Sequence, residues 1–116
     1  MNVKTKNTVS LVLTVILSLG FLYFGVIKLI GPELVLENFK RWGLPDMARY
    51  GIGGLEVAGA IGLWIPALRR LAALGLMGLM AGAIYTHLSN GEGFVAASQA
   101  ILMFLLAGAL FFLRKK

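Results

Sequence analysis

The sequence predicts an all-α integral membrane protein: a four-transmembrane-helix bundle with a short interfacial amphipathic segment between helices 1 and 2. Three observations predict it. Of the 116 residues, 59% are hydrophobic and only 14% charged, too few to coat a soluble surface. The apolar residues fall into four blocks of about 18 to 22, each long enough to span a hydrocarbon core of roughly 30 Å at about 1.5 Å per residue. The basic residues that have no acid beside them gather at alternate ends of those blocks.

The first span is expected over about residues 8–30. The polar stretch Asn2 to Asn7 precedes it, and Gly31-Pro32, which a helix can hardly cross, closes it. Lys4 and Lys6 would suit a secretory signal peptide, but the apolar run is too long and no small-x-small cleavage site follows. A retained helix is therefore expected. Pro45 suits the first turn of the second span, about 46–65, which stops at Pro66. The third follows Arg69-Arg70 and covers about 71–88, up to the turn signal Asn90-Gly91. The fourth covers about 94–113 and runs into Arg114-Lys115-Lys116. A single membrane domain over residues 1–116 is the expectation.

Between the first two spans, Leu34, Leu36, Phe39 and Trp42 mix with Glu33, Glu37, Lys40 and Arg41. A short amphipathic helix lying in the headgroup layer accounts for that mixture, with Trp42 at the depth aromatics favour. An ordinary loop over the bundle end is the other reading.

Orientation follows from Lys and Arg, which hold their loops in the cytoplasm. In a four-span topology Lys4, Lys6, Arg69, Arg70, Arg114, Lys115 and Lys116 share one face. On the other face Lys40, Arg41 and Arg49 are balanced by Glu33, Glu37 and Asp46, with Glu92 added. Both termini are thus expected on the cytoplasmic side of the membrane. The net charge of +6 reads as topology. These residues are terminal or juxtamembrane and form no basic patch for groove or base contacts, so no nucleic acid is expected as a partner.

Charged or titratable side chains inside such spans are costly in lipid and mark function by default. Here they are Lys28 near the end of the first span, Glu56 inside the second and His87 near the end of the third. The alternating direction of the chain puts all three in the outer half, with Glu56 roughly 9 to 12 Å below the outer edge. The fourth span adds Ser98 and Gln99 to the same slab. Arg49, two turns before Glu56 on the same helical face, is a second candidate counter-ion. Structural alternatives stand beside each reading. Lys28 can snorkel to the headgroups, Glu56 can be an interhelical lock, and His87 can cap a helix end.

Small residues recur at helix-packing spacing in Gly54, Ala58 and Gly62 and again in Gly78 and Gly82, which serve a bundle or a homo-oligomer equally. Gly51, Gly53 and Gly54 could instead leave room for a ligand beside Glu56. With no cysteine, thiol chemistry, thiolate-bound iron-sulfur clusters and cysteine zinc sites are excluded. One histidine precludes bis-histidine haem ligation within a monomer, and no metal set is recognisable. No phosphate-binding or nucleophile-base-acid motif is present.

Four segments of this chain resemble the DoxX-like family over nearly its whole length. They are Phe24-Gly25-x-x-Lys28-Leu29-x-Gly31-Pro32, Phe39-x-x-Trp42-Gly43-Leu44-Pro45, Gly54-x-Glu56-x-x-Gly59-Ala60-x-Gly62-Leu63, and Arg70-Leu71-Ala72-Ala73-Leu74-Gly75 with Thr86-His87. The resemblance implies a small bacterial four-helix membrane protein related to DoxX and DoxD, whose recurrent Lys, Glu and His map onto Lys28, Glu56 and His87. It also implies quinone linkage for some relatives and a chaperone role for some eukaryotic ones.

The functional expectation is a redox-associated membrane subunit surrounded by the lipid bilayer. It would bind a small lipophilic ligand, a quinone being the cofactor of that kind, at Lys28, Glu56, His87, Gln99 and Arg49. Apolar walls would hold the body and these polar groups the head, and electron transfer would require a membrane or peripheral redox partner. The alternative is a non-enzymatic assembly factor or scaffold in which the polar groups only lock the helices. Transport is weaker still, since no broken span or inverted repeat is evident.

Overall fold

A computed structural model describes residues 2–113. The chain forms five helices: α1 (Val3–Ile30), α2 (Glu33–Arg41), α3 (Asp46–Gly62), α4 (Arg69–Ser89) and α5 (Gly93–Leu113). No strand occurs among the described residues. The basic tail Arg114, Lys115 and Lys116, which entered the orientation reading, lies outside them.

Local chemistry accounts for the boundaries. The Asn2 side chain accepts a hydrogen bond from Thr5 N at 2.8 Å, so α1 starts five residues before its apolar block, on a satisfied cap. Gly31, at φ 71°, ends it by returning its N–H to Ile27 O, a left-handed cap that Gly adopts without strain. Pro32 and Pro45 then stand at the N-caps of α2 and α3. α3 stops at Gly62, three residues short of the expected end. Pro66 disfavours helical geometry in the residue before it as well as removing its own N–H, and residues 63–68 close as tight turns, such as Ile65 N to Gly62 O at 3.1 Å.

Three of the helices, α1, α4 and α5, are long and apolar enough to cross a membrane. α3 has 17 residues and carries Asp46, Arg49 and Glu56 within them.

The four longer helices pack in a closed ring, α1 on α3, α3 on α4, α4 on α5 and α5 on α1, with α1–α3 and α4–α5 the broad contacts. Neighbours run antiparallel, since Gly25 meets Gly53 while Ser18 lies with Ala60 farther along. Leu17, Phe21, Leu63, Leu76 and Leu110 are fully buried at the centre. The outside is equally apolar. Leu19, Leu55, Ile61, Leu71, Leu74, Leu102 and Leu105 are at least half exposed, a girdle that water would penalise and hydrocarbon would not.

Glycine makes the tightest approach. A Cβ on Gly25 would lie 2.7 Å from Gly53 O, and one on Gly53 would lie 2.9 Å from Gly25 O. The space beside Gly53 is therefore filled by α1, which corrects its reading as room for a ligand. Within the stripes expected to pack, nothing lies within 4 Å of the Cβ positions of Gly54, Gly78 and Gly82. Only Gly62 is crowded, by Ala72 Cβ at 3.1 Å.

At one end of the ring, Arg69 Nε donates to Leu63 O at 2.9 Å, and the Arg70 guanidinium lies 4.2 Å from the Phe111 ring centroid. At the other end lie α2 and the α4–α5 turn. α2 buries Phe39 and leaves Leu34 exposed.

Candidate functional site

Lys28 occupies the last turn of α1, where the helix dipole favours a cation. Its Nζ lies 2.9 Å from Glu56 Oε1 on α3, one turn from the Gly25–Gly53 contact on both helices. The close approach made by those glycines is what lets the two side chains meet. The Glu56 side chain is 0% exposed and that of Lys28 22%. The pair is off the hydrogen-bonding direction, and neither Glu56 oxygen receives a hydrogen bond from the described residues.

A cavity of 370 Å³ opens beside this pair. Lys28, Glu56 and His87 all line it, with Phe39 and Trp42 from the α2 side and Leu79 and Met80 from α4 among its apolar walls. A smaller cavity of 100 Å³ is lined by the same three residues and by Gln99 of α5. The three groups that the sequence placed in one slab therefore border common space, and Gln99 borders its smaller part. Ser98 does not; its hydroxyl returns to Val95 O on its own helix.

Arg49 lies elsewhere. Its side chain is 5% exposed, but Nη1 donates to the Lys28 and Leu29 carbonyls and Nη2 approaches Asp46 Oδ1 at 3.6 Å. The guanidinium caps the C-terminus of α1 and sits outside both cavities. As a counter-ion to Glu56 it is corrected by these contacts: two turns along α3 carried it past the carboxylate to the carbonyls that α1 leaves unpaired.

His87 has a partner the sequence did not single out. Its Nδ1 lies 2.7 Å from Glu92 Oε1, while Glu92 Oε2 accepts from Arg41 Nε at 2.9 Å and Trp42 Nε1 at 3.0 Å. The Trp42 ring meets His87 edge-on, with centroids 5.4 Å apart. One carboxylate thus ties the end of α2 to α4 beside the larger cavity, which Trp42 and His87 line. Hydrogen bonds from Trp42 and His87, with Arg41 adding its bonds and charge, hold the Glu92 carboxyl down at about 2. An ionised carboxylate accepts only, so the proton on Nδ1 faces Glu92. His87 Nε2 makes no hydrogen bond among the described residues and is the nitrogen left for a ligand.

That clamp makes a pH prediction. A carboxyl whose pKa falls from 4.5 to about 2 on folding contributes its stability in full above its unfolded value and loses it as pH falls through the folded one. With Trp64, far from the clamp, replaced by Phe, Trp42 fluorescence should change between about pH 4.5 and 2, and Glu92→Gln should abolish that transition. A Trp42 transition that persists in the variant would show that another group controls the clamp.

Residues 12–109 match the DoxX-like family. The chain belongs to the DoxX-like family. With its apolar helices, this makes the DoxX-like chain a membrane protein, in contact with lipid. It is also similar to the uncharacterized protein YdgD of Bacillus subtilis (strain 168), at 28% identity over 104 residues that cover 85% of this chain and 91% of that one. No solved structure matches it.

Proposed function

We propose that this DoxX-like protein binds a small lipophilic molecule with a polar head, of the quinone kind, at Lys28, Glu56 and His87, and serves as a membrane subunit for a redox partner. The observation that carries this reading is that Lys28, Glu56 and His87 together line a 370 Å³ cavity with apolar walls, Glu56 being buried there without a hydrogen bond. A buried acceptor left unpaired costs about 1–3 kcal/mol, which a donor on the ligand would recover. The head that fits best carries a hydroxyl, as the reduced form of a quinone does: its oxygen accepts from the partly exposed Lys28, and a small turn of the buried Glu56 side chain toward the cavity lets its O–H donate to the carboxylate. His87 Nε2 is the further group for proton exchange. Glu56→Gln should keep the fold and reduce retention of such a molecule at least tenfold, read by mass spectrometry of the purified protein. Equal retention would refute this reading.

In this reading the chain lies in the bacterial cytoplasmic membrane with both termini inside. α3 makes the fourth crossing, supplemented by the turns at 63–68, and α2 lies in the headgroup layer. A cysteine placed at the N-terminus of this cysteine-free chain should escape impermeant thiol reagents on intact cells, and one at Glu37 should react. The reverse pattern would invert the topology.

One observation favours a second reading. The Lys28–Glu56 pair bridges α1 and α3 beside their closest backbone contact, as a structural lock in a scaffold or assembly factor would. Folded Glu56→Gln protein that retains all of its ligand or has none to lose, yet melts far lower, would select it.

A further inference from the structure

A second, wholly different space lies beside the polar cavity. Between α3 and α4 runs a groove of 480 Å³ bordered by small and aliphatic residues, among them Leu55, Ala58, Gly59, Leu71 and Gly75. Gly78 and Leu79 line both the groove and the Glu56 cavity, so the two adjoin at these residues. The groove follows α4 from Gly78 back to Leu68, roughly 15 Å of helix at 1.5 Å per residue. Its flanks, Leu55 and Leu71, are more than half exposed on the lipid-facing outside.

Building on the binding reading above, we infer that the ligand is a single-chain amphiphile: its tail lies in the α3–α4 groove, it enters sideways from the bilayer, and its hydroxyl-bearing head reaches Glu56. Glu56 lines the adjoining cavity rather than the groove itself, and its carboxylate, paired with Lys28, receives no hydrogen bond from the described residues. The groove gives something lipophilic a lateral way to that cavity, since its flanks Leu55 and Leu71 stand open on the apolar outside. A helix of a second copy, about 10 Å across, could cover the groove but not enter the 370 Å³ cavity beside it, whereas a flexible chain with a small polar head could. The open glycines give the channel its floor: no atom lies within 4 Å of a Cβ on Gly75 or Gly78.

The test compares two probes on the protein in nanodiscs, methylhydroquinone and the same ring with a decyl chain, each corrected for its partition into protein-free discs. Gly75→Leu puts a side chain into the groove from a position whose Cβ meets nothing within 4 Å and leaves the head site alone, and Ala58→Leu repeats the block from α3. In the wild type the decyl compound should bind more tightly than the methyl one. Either variant should cut that advantage by about tenfold, as lost burial of a few methylenes would, with methyl binding and melting unchanged. An advantage that survives both variants overturns the tail groove while the head site stands. Loss of a dimer in the variants, with the decyl advantage intact, overturns it in favour of a contact between copies. If neither probe binds the wild type, the head-site reading falls and the tail with it.

Discussion

Lys28→Met is expected to destabilise the bundle by about 3 kcal/mol, at the low end for breaking a buried ion pair because the ammonium is partly exposed. The cost comes from Glu56, left at 0% exposure among apolar neighbours with no cation and no hydrogen bond. The double variant K28M/E56M removes both desolvation penalties and should recover most of that loss, since apolar replacement of a whole buried pair is often neutral. Reversible unfolding in mixed micelles, arranged as a double-mutant cycle, measures the coupling. Additive losses would mean that the two charges do not depend on each other. Recovery of stability without recovery of ligand would separate the fold's use of the pair from the site's.

A larger loss is expected from Gly53→Leu. Its Cβ alone would lie 2.9 Å from both Gly25 O and Lys28 Cβ, and the remaining side-chain atoms would force α1 and α3 apart. Overpacking of this kind costs about 1–3 kcal/mol or more, and separating the helices also draws Lys28 away from Glu56. The neighbouring Gly54→Leu provides the control. Nothing lies within 4 Å of its Cβ, and exchanging a helical glycine for leucine gains up to about 1 kcal/mol in propensity. Thermal melting should fall sharply for the first and hold or rise for the second. Equal effects would contradict the close contact.

The convergence of Lys28, Glu56 and His87 was legible because it depends only on rise per residue and on chain direction, both of which hydropathy sets. Partner choice was not, because it depends on helix rotation and rotamer. Arg49 shares a helical face with Glu56, yet it turns to the carbonyls at the end of α1, which no spacing rule distinguishes from a carboxylate one or two turns away. Glu92 was visible as an acid on the expected outer face, opposite Arg41 and Trp42 in the other outer connection. That charge match was the available signal for the clamp, and the reading of Glu92 as topology alone passed over it. The glycine stripes left bundle and homo-oligomer undivided for a related reason. Spacing marks a smooth helix face, but only register decides that Gly25 and Gly53 touch while Gly54, Gly78 and Gly82 stand open.

Mass spectrometry of small molecules that co-purify with the protein in native lipid, comparing wild type with folded Glu56→Gln and His87→Ala, tests the central claim most directly. The expected result is a lipophile with a polar head retained by the wild type and lost at least tenfold by both variants, while their melting stays close to that of the parent. A wild type that retains nothing above the lipid background, with variants that melt far lower, would contradict a binding site and leave Lys28 and Glu56 as a lock between helices.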